Sequence, residues 1–155
     1  MPSRRSAPPT LSATTAAAVL QVLALREQRL TVHRRAVLAA LEHSDRPLTA
    51  EEVVERSGVP QSTAYRNLAE LVDAGVVSRV SGVAGGDRHE LAEPLSHHHH
   101  HAVCTACGIV TDFEPSERLE RLIEQEMGAL LSATGFAVDH HVFDVRGLCA
   151  TCRPR

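Results

Sequence analysis

Apolar positions in the first half of the chain recur at helical spacing, while much of the second half alternates or clusters. Residues 14–29 run through Ala, Leu and Val and turn charged near their end, which predicts a helix. Ala36, Val37, Ala40 and Leu41 mark one face of a second helix over 33–43, stopped by Asp45-Arg46-Pro47. Thr49-Ala50-Glu51-Glu52 is a capping box, in which the Thr hydroxyl accepts from residue 52 and Glu52 reaches back, so a third helix starts there and ends at Gly58. After Val59-Pro60, Ala64, Leu68, Leu71 and Val72 share one side of a fourth helix over about 62–74, closed by Gly75. Two short helices about a tight Gly-containing turn are the layout of a helix-turn-helix. Val76–Val80 and Asp87–Leu91 flank Gly82-Val83-Ala84-Gly85-Gly86, which predicts a hairpin, a wing behind those helices. Residues 92–96 contain Pro94, lack periodicity and read as a hinge linker. Beyond it, 99–113 predicts two short strands around a Cys-x-x-Cys knuckle. Leu119, Leu122, Ile123, Met127, Leu130 and Leu131 mark a helix over about 116–133, and Phe136–Val145 alternates as a strand. The fold class expected is α+β: a disordered basic tail over 1–13, a winged helix-turn-helix domain over 14–91, the hinge, and a small metal-binding domain over 97–155.

Composition changes this picture in two ways. Hydrophobic residues make up 43% of the 155, but aromatics only 3%, with no Trp. Two small cores of Leu, Val and Ala are lean, and such domains need a metal, a disulfide or a partner subunit. The net charge of −3 hides an asymmetry: residues 1–91 carry 11 Arg against 10 acids, and 92–155 carry 5 Arg against 9 acids, with no Lys anywhere. Arg4, Arg5, Arg26, Arg29, Arg34 and Arg35 crowd the front, facing a single acid, Glu27. A basic front and an acidic, His-rich rear point to different partners for the two halves. No stretch reaches the roughly 18 apolar residues of a membrane span. Arg4-Arg5 followed by Leu11–Leu25 resembles a signal peptide only superficially, since Pro8-Pro9 precede the run and Gln21 interrupts it. The expected location is the cytoplasm, where paired cysteines favour metal over disulfide.

On the fourth helix, Ser62, Thr63 and Arg66 fall opposite the apolar side, with Tyr65 at the flank. Hydroxyls and a guanidinium near a helix N-terminus suit phosphates and base edges, so double-stranded DNA is the expected partner, read by a homodimer. Neither a membrane nor a small organic substrate is expected. In the rear half, Cys104-Thr-Ala-Cys107 and Cys149-Ala-Thr-Cys152 each present two thiolates from one turn, and two such turns close a tetrahedron around Zn2+. Two disulfides or a redox pair are the alternative. Five histidines, His97–His101, precede the first pair. If extended, the run sends His97, His99 and His101 one way and His98 and His100 the other, feeding two separate metal sites. Imidazole suits Zn, Fe and Ni alike, so the run does not choose the metal. Glu90, Asp112, Glu124, His140 and His141 are further candidate ligands.

His97–His101, Cys104-x-x-Cys107-Gly108, Gly135-Phe136, His141, Gly147 and Cys149-x-x-Cys152 together resemble the ferric uptake regulator (Fur) family, as do Thr31-x-x-Arg34 and Ser62-Thr63-Ala64-Tyr65-Arg66-Asn67-Leu68. The resemblance covers about residues 28–152. It implies a winged-helix domain, an α/β dimerisation domain and metal-dependent repression of metal-homeostasis or peroxide-stress genes. It further implies a structural zinc on Cys104, Cys107, Cys149 and Cys152. The hinge site falls on Glu90, His99, His101 and Asp112, and a second site on His98, His100, Glu124 and His141, the regulatory metal being Zn2+ or Fe2+. Pro47-Leu48 stands where iron- and peroxide-type members usually supply a histidine, and His33, His43 and His89 are the available stand-ins. The expected function is a metal-dependent DNA-binding repressor and not an enzyme; an iron-based peroxide sensor of the same fold, and a zinc-binding buffer or enzyme, are the alternatives.

Overall fold

A computed structural model describes residues 9–81, 86–96, 98–138 and 140–154. Arg4 and Arg5 of the predicted tail, the centre of the glycine-rich wing loop and His97 lie outside them. The chain divides into two compact units, Met1–His97 and His98–Arg155.

The first unit opens with α1 (Ala13–Ala24) and α2 (Val32–Glu42). The end of the predicted tail is ordered: Ser12 caps α1, and the Glu42 carboxylate accepts from the Ser12 N–H and from the Ser12 and Thr15 hydroxyls. The first helix is shorter than its composition predicts. Glu27 takes a left-handed conformation (φ 55) and the Gln28 N–H turns back to the Leu23 carbonyl, which ends the helix. No glycine marks that turn, so the pattern alone extends the helix too far. β1 (Leu48–Thr49) leads into α3 (Ala50–Ser57), where the capping box forms as expected and Gly58, left-handed at φ 67, supplies the stop. α4 (Gln61–Asp73) follows at once, with Pro60 in the capping position and no side-chain cap. Ser62 therefore lies inside the first turn. β2 (Val77–Val80) and β3 (Arg88–Leu91) form an antiparallel pair, with β1 on the far edge of β3. Leu23, Leu38, Leu48, Val53, Leu68, Leu71 and Val76 build the core.

The expected linker is not structureless. Glu93–Leu95 form a 3-10 turn, the Ala92 N–H donates to the Val76 carbonyl, and Leu95 packs on the first unit's core.

In the second unit, β4 (His100–Cys104) pairs antiparallel with β5 (Val110–Phe113) and parallel with β6 (Asp144–Gly147). α5 (Glu117–Thr134), capped by Ser116 and ended by left-handed Gly135, connects β5 to β6. Among the described residues, only Asp144 and Val145 of the strand expected over 136–145 are in a strand. β6 finds partners on β4 only from His101 to Cys104, so the alternating residues before Asp144 have no ladder to join. Among the described residues, those buried in this unit are His100, His101, Val103, Cys104 and Val110. A core made largely of candidate metal ligands cannot by itself stabilise a unit of this size.

Candidate metal centres and nucleic-acid face

The knuckle 105–108 follows β4, and the Gly108 N–H closes it on the Cys104 carbonyl. The Thr105 N–H donates to the Gly147 carbonyl, which draws the end of β6, and with it the second cysteine pair, against the first. One Sγ from each of Cys104, Cys107, Cys149 and Cys152 lies within 4.8 Å of the others, and Cys107 and Cys149 are 3.8 Å apart. Four sulfurs about 2.3 Å from one Zn2+ would be about 3.8 Å apart along each tetrahedral edge. The Cys149 N–H donates to the Cys104 sulfur at 3.4 Å, and backbone N–H groups hold that thiol down to about 6. Cys152 is pushed up to about 12, chiefly by its bonds to the Cys149 and Cys107 sulfurs. Cys152 thus keeps its proton unless a cation displaces it, so the donor set fits a dication.

The histidine run alternates. His98 and His100 meet Glu120 and His141, while His99 and His101 meet Asp112 in the second unit. In the first group Glu120 is the hub. His100 Nε2 lies 2.8 Å from one of its oxygens, with His98 Nε2 at 3.5 Å and His141 Nε2 at 3.6 Å from the other. The His100 hydrogen bond holds the Glu120 carboxyl below its ordinary range, and burial pushes His141 below the ordinary imidazole range. Phe113 and Phe143 pack on the His100 ring, excluding water from one side. In the second group His101 Nε2 is 3.9 Å from Asp112, and its Nδ1 is 3.4 Å from Asp144. A carboxylate behind the ring fixes the tautomer of a ligating imidazole.

Two acidic residues escape sequence reasoning. Glu120, not Glu124, joins His98, His100 and His141; Glu124 lies one turn further along α5, in a hollow beside His140 and His141. Residues four apart share a helix face, so the sequence offers both and does not choose the turn. Asp144 has no sequence signal, since only the parallel pairing of β6 with β4 sets it opposite His101. The three stand-in histidines join no metal-sized cluster among the described residues. His33 lines a concavity with Thr63 and Arg66, His43 bonds the Ala39 carbonyl, and His89 faces α3 and α4. Glu90, next to His89 on β3, lies opposite Ser78 of β2.

On α4, Ala64, Asn67, Leu68 and Leu71 are buried, while Ser62, Tyr65 and Arg66 are exposed and Thr63 is half-buried. Arg34, only 7% exposed, ties this helix to α2 by donating to Glu70 at 2.6 Å and to the Arg29 carbonyl at 3.0 Å. The Tyr65 hydroxyl donates to the Glu51 carboxylate at 2.5 Å.

The geometry defines an α+β protein with a four-cysteine cluster and histidine–carboxylate clusters along the strand that ends in Cys104. The ferric uptake regulator family model matches residues 26–146, and the chain belongs to that family, whose members are metal-responsive transcription regulators and not enzymes. A ferric uptake regulation protein of Legionella pneumophila is 34% identical over 131 residues, covering 81% of this chain and 91% of its own. A peroxide-responsive repressor PerR of Staphylococcus aureus is 28% identical over 134 residues, covering 82% and 84%. The solved structure of the Vibrio cholerae ferric uptake regulator aligns with a TM-score of 0.63 at 28% identity, covering 83% of this chain and 98% of that one. Among the described residues, no helix is long and apolar enough to cross a membrane.

Proposed function

We propose that this chain is a homodimeric repressor that binds double-stranded operator DNA through a winged helix-turn-helix and is switched by Zn2+ or Fe2+, with a structural Zn2+ at the cysteine cluster. One observation carries the reading: successive histidines of a single strand run divide between two carboxylate-containing clusters beside a thiol tetrad. Cys104, Cys107, Cys149 and Cys152 would hold the structural zinc. His98, His100, Glu120 and His141 would hold one regulatory ion. His99, His101 and Asp112 would hold another, with Glu90 as the further ligand the family resemblance implies. A bound dication supplies the charge that draws these imidazoles and carboxylates into one arrangement. Glu90 precedes the linker and His99 follows it, so engaging both would couple the DNA-binding half of the chain to metal. Ser62, Thr63 and Arg66 would meet phosphates and base edges, with Tyr65 at the flank.

Metal should then raise operator affinity by about 1–3 kcal/mol, and DNA should tighten metal by the same factor. The test is retardation of operator DNA by protein purified without added metal, titrated with Zn2+, Fe2+, Mn2+ and Ni2+. His99→Ala with His101→Ala should abolish the metal response and leave the cysteine-bound zinc in place. A double variant that responds fully would move the switch to the His98–His100–Glu120–His141 cluster. The likeness to the peroxide-responsive repressor of Staphylococcus aureus favours a second reading: loss of DNA binding on peroxide treatment of the Fe2+-loaded protein would select it.

A further inference from the structure

Between α3, α4 and the β2–β3 pair, the first unit forms an open hollow of about 380 Å3 that none of the candidate metal sites uses. Leu68 and Val72 give it an apolar floor, and Glu51, Asp87 and His89 stand around it with Tyr65. A volume of this size suits a small organic molecule.

The polar groups select its charge. Among the described residues, Arg79 is the one guanidinium lining the hollow, and it is engaged by Asp87 at 3.3 Å. Glu51 is met by neutral donors, the Tyr65 hydroxyl foremost, and these hold its carboxyl ionised at neutral pH. Burial pushes His89 below the ordinary imidazole range. Its Nδ1 is buried beneath the surface, so the ring offers the hollow its uncharged flank. A carboxylate and an uncharged ring above an apolar floor match a positively charged group on a hydrocarbon body. An anion would meet Glu51, Asp73 and Asp87 against a single committed arginine.

We propose that this hollow is a binding site for a small organic cation, an amine with a compact apolar body, its ammonium on Glu51 and its hydrocarbon on Leu68 and Val72. The site goes beyond the metal-switch reading and does not depend on it. An ammonium seated on Glu51 competes with the Tyr65 hydroxyl for that carboxylate and weakens their hydrogen bond.

Tyr65 makes the event visible, because it is the only tyrosine in a chain with no tryptophan. A phenol hydrogen-bonded to a carboxylate loses its emission by excited-state proton transfer, so its release brightens the protein. The probes are cyclohexylmethylamine, cyclohexylmethanol and cyclohexanecarboxylate, all optically silent, titrated into the full-length zinc-containing protein by tyrosine fluorescence and calorimetry. The amine should give a saturable rise in emission with matching heat, and the alcohol and carboxylate neither. Glu51→Gln should weaken the amine about tenfold by calorimetry, the worth of one charge-assisted hydrogen bond. Ala69→Leu, which fills the hollow from an exposed helix position, should abolish both signals. An amine that gives no saturable signal, a carboxylate that binds as tightly, or an Ala69→Leu protein that behaves as the parent would each overturn the site.

Discussion

Glu52 shows how far a single residue can be read from sequence. Its place three residues after Thr49 announces the capping box, and the Thr49 N–H does donate to it at 2.8 Å. Its other partners are not local. Arg46 donates to both its oxygens, at 2.5 and 3.2 Å, and Arg88 reaches it from β3 at 3.5 Å. Arg46 is the main reason its carboxyl falls from 4.5 to about 2. A carboxyl with a folded pKa below its unfolded one stabilises the protein above the unfolded value, and that stability is lost as pH falls toward the folded value. Glu52→Gln should therefore cost on the order of 1 kcal/mol at pH 7, allowing for solvent screening. The gap between parent and variant in urea unfolding should narrow as pH drops from about 5 towards 3. A gap that stays constant with pH would mean that the cap, and not the charge, is what Glu52 contributes. Glu120 makes the opposite point: its helix face is legible in the sequence and its turn is not, because the partners that choose it come from β4 and from the segment before β6.

At the level of elements, β4 and the two residues before it do most of the organising. Period-two alternation alone separates His98 and His100 from His99 and His101, so this division is legible in the sequence. The closing of the cysteine cluster is half legible. Each Cys-x-x-Cys turn presents its own pair, but the Thr105–Gly147 bond and the parallel β4–β6 ladder bring the two together. Cys149→Ser should lose about one zinc per chain and unfold or monomerise the second unit. Structural zinc contributes on the order of 10 kcal/mol, comparable to a whole domain's stability, and this unit buries very little else. Metal analysis with thermal unfolding checks this; a variant that keeps its zinc and its melting point would remove the four-cysteine site. The misread elements have separate causes. The end of α1 and the segment 136–143 have the right periodicity, but a left-handed Glu27 stops the one and the lack of a facing strand leaves the other unpaired.

At the scale of the whole molecule, α5 buries none of its residues within its own unit, and it exposes Leu119, Leu122, Leu130 and Leu131. An apolar stripe on water is what the proposed homodimer would cover. Leu122→Glu with Leu130→Glu should weaken self-association at least about thirtyfold, as loss of an interface hot spot does, without unfolding the chain, since both side chains are already exposed. Sedimentation at several concentrations measures this, and a double variant as dimeric as the parent would place the interface elsewhere. The sequence by itself determined the local rules: helical and alternating periods, the Thr49–Glu52 cap, the two cysteine pairs and the two-way division of the histidines. All of these act over a few residues, through spacing alone. Tertiary structure decided what spacing cannot express: that Glu120 and not Glu124 meets the histidines, that Asp144 stands behind His101, and that Glu93–Leu95 pack with the first unit. It also decided that His89 lines the hollow between α3 and α4. Each of these depends on which distant segment lies opposite, and that is fixed by strand pairing and core packing rather than by neighbours along the chain.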